Sequence, residues 1–167
     1  MLLTNVFYFL LALLLHEFAH LVAARACGVT ITEFGLGWGR KLFGFRWRQV
    51  DFGVRLLPVG AYVRFDLNEL QQRPLAQQVL ILLAGIIANL VAATATSGTR
   101  FSLMNFLLAA TNILPLYQQD GWKCGMVMLR GLLGRKSSLV EWTFTIAGSV
   151  LSIALFSALI IRLFRSR

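Results

Sequence analysis

Four nearly unbroken apolar stretches alternate along the chain with polar segments rich in glycine and arginine. They cover residues 4–26, 77–96 ("QQVLILLAGIIANLVAATAT"), 101–116 and 139–162. Each approaches the roughly 20 apolar residues needed to cross a bilayer core. They predict about four transmembrane helices. "SGTR" at 97–100 reads as a tight turn, and 120–134 as a short amphipathic helix.

Segment 27–76 has a different pattern. Its "FGLGWGRKLFGFRWRQVDFGVRLLPVGAYVRF" mixes aromatics, β-branched residues, arginines and glycines, and Arg46–Leu56 alternates in part. The glycines at 35, 37, 39 and 44 punctuate it as turns. Trp38, Trp47 and Tyr62 stand near arginines, a mix suited to the headgroup layer. A small β-hairpin or sheet over about 30–65 is expected at the membrane surface, with an ordered connecting loop as the plainer alternative. The predicted fold class is therefore mainly α: one polytopic membrane domain over 1–167, with a membrane-associated β-region between its first and second spans.

Composition agrees. The chain is 57% hydrophobic and 14% charged, with a mean hydropathy of +0.71, unlike a soluble globular domain. The formal net charge of +9 would otherwise raise nucleic-acid binding. Here the basic residues cluster between apolar runs and no nucleic-acid-binding signature accompanies them, so anionic lipid and the positive-inside rule explain them better. Arg40, Lys41, Arg46, Arg48, Arg55, Arg64 and Arg73 fall in one connection. Lys123, Arg130, Arg135 and Lys136 fall in another, and Arg100 alone lies between spans two and three. Both basic segments are expected on the cytoplasmic side and the N-terminus outside. Four spans would then place Arg162, Arg165 and Arg167 outside, against the rule. Residues 1–15 carry no Lys or Arg and no clean cleavage site follows, so an uncleaved first span is expected rather than a signal peptide. Cys27 and Cys124 match no zinc or disulfide pattern and read as small apolar residues.

The first span holds the candidate chemistry. His16-Glu17-Phe18-Ala19-His20 is H-E-x-x-H. On a helix, positions i and i+4 share a face, so both imidazoles can reach one metal ion, and Glu17 stands about 100° away, placed to act as a base. Ionisable groups inside a span are costly and normally mark function. A catalytic zinc site usually needs a third protein ligand. Asp120, in "NILPLYQQDG", is the obvious candidate, because Asn112 and Pro115 should break the third span just before it. As an alternative, Asp120 caps the short helix that follows.

These residues, in this order, resemble the site-2 protease family of intramembrane zinc metalloproteases. His16, Glu17 and His20 match its H-E-x-x-H. Gly85 and Asn89, in "AGIIANL", look like its glycine–asparagine motif. Asn112, Pro115, Asp120 and Gly121 match its N-x-x-P…D-G motif, and "LLPVGAYVRF" is similar to a stretch following its β-structure. Ile86 departs from the family's proline, and Tyr117, Gln118 and Gln119 replace its usual residues before the aspartate.

The resemblance implies one Zn2+ held by His16, His20 and Asp120, with Glu17 as general base, on the cytoplasmic side of the bilayer. His16 lies about 21 Å of helix from Leu2, or two-thirds across a core of roughly 30 Å, which agrees. The expected reaction is hydrolysis of peptide bonds in single-span membrane proteins, in a bacterial inner membrane. Asn89 and Asn112 are expected to hold substrate backbone, or else to bond helix to helix. The chain is too short for a PDZ domain, which leaves substrate choice to the core, the β-region or a regulatory membrane partner. An inactive metal-binding scaffold that captures helices is the competing reading, and Glu17 argues against it. A small zinc transporter is a third, disfavoured by the single compact site.

Overall fold

The computed structural model describes residues 2–133 and 138–165; the predicted cytoplasmic residues Arg135 and Lys136, and Arg167 of the tail, lie outside them. Helix α1 spans Leu2–Ala26, α2 Leu67–Gln72, α3 Leu75–Ala95, α4 Arg100–Ile113, α5 Asp120–Leu133 and α6 Ser138–Arg165. Strands β1 (Ile31–Trp47) and β2 (Val50–Phe65) lie between α1 and α2.

Helix α1 is apolar all round, as a helix with lipid on one side and protein on the other should be. Its inward ridge is Ala12, His16, His20 and Ala24, four residues apart and each buried. The helix stops at Gly28, whose φ of 69° is the left-handed conformation that glycine adopts without a Cβ clash. Gly28 N–H donates to Arg25 O at 3.0 Å and Val29 N–H to Ala24 O at 2.9 Å, so the last carbonyls are satisfied as the chain turns. The Arg73 guanidinium, just before α3, donates to Gly28 O and ties the two helix ends together.

The two strands pair antiparallel, as the alternation around 46–56 predicts. Both fold back on themselves. Residues 33–36 pair with 61–64 on one side and with 51–54 on the other, while 41–46 pair with 51–55. The limbs therefore lie in the order 41–47, 50–55, 31–36, 61–65. The β-region is anchored, not a loose connection: Val29, Ile31 and Val50 pack with Leu21 and Ala24 of α1, Leu70 of α2 and Ile81 of α3. Glu33 crosslinks the limbs, accepting from Tyr62 Oη at 2.5 Å and Arg55 at 2.7 Å. Partial burial works against its charge, but these two bonds outweigh it and hold the carboxyl below its usual range. The far end of the sheet presents Trp38, Leu42, Phe43 and Trp47, all more than half exposed.

Among the described residues, three helices are long and apolar enough to cross a membrane: Leu3–Ala26, Leu75–Ala95 and Ser138–Ala158. The predicted third span over 101–116 needs correction. Helix α4 has 14 residues, about 21 Å, which falls short of a hydrocarbon core of roughly 30 Å. Leu114 is extended (φ −66°, ψ 143°), as the residue before a proline must be, and α4 ends there. The chain continues as α5. Ser102 Oγ donates to Ala93 O near the end of α3, while Gly131 packs on Leu75 at its start. Helices α4 and α5 thus run back along α3 as one broken path. Helix α6 then returns along α5: Arg130 grips Glu141 with two bonds of 2.8 Å, and Tyr117 N–H donates to Ser152 Oγ at 3.1 Å. Trp122 stacks on Phe144 within this seam, whereas Trp142 is two-thirds exposed.

Asp66 caps α2, accepting from Asn68 N–H at 2.8 Å and Glu69 N–H at 3.1 Å, and Glu69 in turn accepts from Thr30 at the head of the sheet. Replacing Asp66 with Ala should lower stability by about 1 kcal/mol, the worth of a helix cap, as read by reversible denaturation in mild detergent.

Candidate metal centre

The ridge of α1 brings His16 and His20 against α3, and the break after α4 brings Asp120 to both. His16 Nε2 lies 2.8 Å from Asp120 Oδ2, His20 Nε2 lies 3.0 Å from the same oxygen, and the two Nε2 atoms are 3.3 Å apart. All three residues are at most 6% exposed. The expectation that Asp120 caps α5 is not met. One carboxylate oxygen faces the imidazoles, and the other accepts from Lys123 Nζ at 2.9 Å.

The donor chemistry fits a cation. His20 Nδ1 is 2.7 Å from the carbonyl oxygen of Ile81, which can only accept, so Nδ1 donates and Nε2 is left to face Asp120. His16 Nδ1 is 2.5 Å from Asn89 Oδ1, and its Nε2 faces Asp120 as well. Two imidazole nitrogens and a carboxylate oxygen thus converge, a donor set that suits a divalent cation once the Nε2 atoms are free of protons. Ligands on a tetrahedral zinc lie about 3.3 Å apart, close to the spacing seen here. Imidazoles fixed through their second nitrogen are the usual support of such a site.

Gly85 makes the cradle possible. A Cβ at this position would come within 2.5 Å of His20 Nε2 and 2.6 Å of His16 Cε1. Gly85 therefore packs directly against the two candidate ligands. Gly121 does the same for Asp120, since a Cβ there would fall 2.2 Å from Ile113 O and force α5 away from α4.

Glu17 and the ligands His20 and Asp120 open onto a cavity of about 930 Å³. Thr32 and Val63–Phe65 of the sheet form one wall, with α5 and the start of α6 opposite. Among the described residues, 61–65 pair only with 31–36, so the limb beside the cavity is an edge. Tyr117 and Gln118, two of the residues that depart from the family pattern, also line it.

Of the two alternatives for Asn89, substrate backbone or helix-to-helix bonding, the structure shows the second. Asn89 is fully buried, and its amide is bonded to His16, to Ala12 O and to Asn105. It supports a ligand and does not meet the cavity. Asn112 turns back onto its own helix, donating to Leu108 O at 3.0 Å, and is not among the residues lining the cavity. Both sit on faces set by helix rotation, which the motif spacing does not report. Sequence reading missed Lys123 and the Ile81 carbonyl. Lys123 was visible only as one of several basic residues, and a backbone carbonyl leaves no signal in a sequence.

A mainly helical membrane protein with a buried two-histidine, one-aspartate centre and a neighbouring glutamate has the build of a membrane metalloprotease. The chain belongs to peptidase family M50, the site-2 protease family, whose sequence profile matches residues 4–102. That range includes His16, Glu17, His20, Gly85 and Asn89; Asp120 lies beyond it, and its assignment rests on geometry. Similar proteins include one from Synechocystis provisionally named a zinc metalloprotease, 36% identical over 88 residues, which are 46% of this chain and 24% of the relative. Another, from Clostridium acetobutylicum, carries the same provisional name and is 33% identical over 89 residues, covering 48% of this chain and 26% of the relative. A protein of Arabidopsis thaliana provisionally named a chloroplastic membrane metalloprotease is 32% identical over 95 residues, covering 50% and 22%. The match thus spans about a quarter of the length of these relatives.

Gly85→Ala should lower zinc affinity about tenfold or more, because the new methyl displaces both imidazoles from their anchored positions. Chelator competition on the purified protein measures it.

Proposed function

We propose that the protein is an intramembrane zinc endopeptidase that hydrolyses peptide bonds in or near transmembrane segments of single-span membrane proteins. The observation that carries this reading is the convergence of His16, His20 and Asp120 at the wall of a cavity that Glu17 shares. Zinc held by these three side chains would supply Lewis acidity, acidifying water and polarising a peptide carbonyl. Glu17 takes a proton from the attacking water and passes it to the leaving amine. Lys123 keeps Asp120 ionised and turned toward the histidines.

A transmembrane helix hides its peptide bonds in its own hydrogen bonds, so cleavage needs an extended segment. The free edge at 61–65 supports the idea that such a segment adds to the sheet as a strand and runs along the cavity past Glu17. Tyr117 and Gln118 then face its side chains. Substrates of this kind are membrane-tethered regulators or leftover signal peptides. The basic connections support a cytoplasm-facing site, and a bacterial inner membrane suits the family. A regulatory membrane partner remains part of the proposal. An inactive scaffold is less well supported, because capture alone needs no carboxylate beside the ligands.

Glu17→Gln should abolish cleavage and leave zinc bound; loss of metal in that variant would mean the roles are misassigned. Comparison of membrane-protein fragments in cells making wild type or Glu17→Gln tests the activity, and matching fragment profiles would favour the scaffold. Asp120→Asn should weaken zinc binding by at least about tenfold, and unchanged metal content would remove Asp120 from the ligand set.

A further inference from the structure

One polar group in the helical core has no part in the reaction as described above. Asn105, in the middle of α4, is fully buried among apolar residues. Its side chain makes two bonds. Nδ2 donates to Phe101 O at 2.9 Å, and Oδ1 accepts from Asn89 Nδ2 at 2.7 Å. Asn89 then presents Oδ1 to His16.

We propose that Asn105 is a positioning residue for the metal centre, acting through Asn89 to hold His16 in the tautomer whose Nε2 is free to ligate. The argument concerns the direction of a hydrogen-bond chain. A primary amide can be turned over, exchanging its donor and acceptor ends at little intrinsic cost, and a neutral imidazole can carry its proton on either nitrogen. Asn89 in the wrong sense would offer N–H to His16, drawing a lone pair to Nδ1 and leaving the proton on Nε2, where the metal belongs. Something must fix the sense of the chain. Backbone carbonyls do so, because they only accept. Phe101 O fixes which end of Asn105 is the donor, so Asn105 can only accept from Asn89. Ala12 O, 3.1 Å from Asn89 Nδ2, takes the other amide proton. With both protons committed, Asn89 must offer oxygen to His16, whose Nδ1 must donate. Asn105 on α4 and Ala12 O on α1 thereby set the direction of Asn89 together, and Asn89 passes it to His16. His20 needs no such chain, because Ile81 O orients it directly.

This inference rests on the metal-centre reading above, but its first readout is independent of metal. The chain has only two histidines, so the imidazole 15N spectrum of the metal-free protein in micelles reports two rings. In the wild type both should be protonated on Nδ1. In Asn105→Leu, His16 should become a mixture of tautomers while His20 stays unchanged as an internal control. Zinc affinity, by chelator competition, should fall about tenfold. Asn89→Ala should fall at least as far. The double variant Asn89→Ala/Asn105→Leu should match Asn89→Ala alone, because Asn105 acts only through Asn89. Should the leucine variant not fold, Asn105→Ala serves with the same expectations. An unchanged His16 tautomer, with lower thermal stability as the sole effect, would make Asn105 a helix-packing residue and overturn the proposal. So would additive losses in the double variant. Failure of the wild type to bind zinc would instead sink the metal-centre reading and leave the tautomer result to decide the role of Asn105.

Discussion

Two imidazoles and a carboxylate share one small volume between apolar helices, and much of the structure is arranged to make that tolerable. Buried charge and buried lone pairs are costly unless each is matched. Here the matching is complete on the outer side: His20 has a backbone carbonyl, His16 has Asn89, and Asp120 has Lys123. On the inner side the three remaining ligand atoms face one another, both Nε2 atoms against one oxygen of Asp120. With their outer partners fixed, these three atoms are the ones free to turn to a cation.

The helix arrangement follows from delivering those atoms. Gly85 removes the side chain that would otherwise hold α3 away from α1, so the ligand ridge can press against it. The chain then returns along α3 but cannot do so as one helix. The break at Leu114–Pro115 ends α4 and restarts the chain as α5, whose first residue is Asp120. The carboxylate thus arrives from a helix beginning. Gly121 permits the close approach of the restarted helix to the end of α4. The sheet completes one wall of the cavity because the ends of α1 and α3 and the short α2 anchor it, which places an unpaired edge beside Glu17.

Much of this was written in local patterns. The spans of α1, α3 and α6 were legible because the apolar run length is a property of consecutive residues. The three candidate ligands were legible because H-E-x-x-H encodes its own geometry once the segment is a helix, and because Asp120 followed a proline that had to end one. The β-region was legible from partial alternation and glycine punctuation. The break after α4 was legible from Pro115; what the apolar run over 101–116 did not report is that α4, ending at Ile113, is too short to cross a bilayer by itself.

Sequence alone determined the chemistry on offer: which side chains could ligate a metal, which could act as a base, and that the setting is apolar. Tertiary structure decided how the polar groups are paired. Asn89 was open to two roles, substrate contact or helix-to-helix bond, and bonds to His16 and Asn105; Asn112 shares its motif with Asp120, yet bonds to its own helix. Asn105 drew no notice at all. The physical reason is common to the three. An amide is donor and acceptor at once, so its role depends on which groups other helices bring to it. That depends on helix rotation and on carbonyls distant in sequence, as when Ile81 O meets His20 across 61 residues.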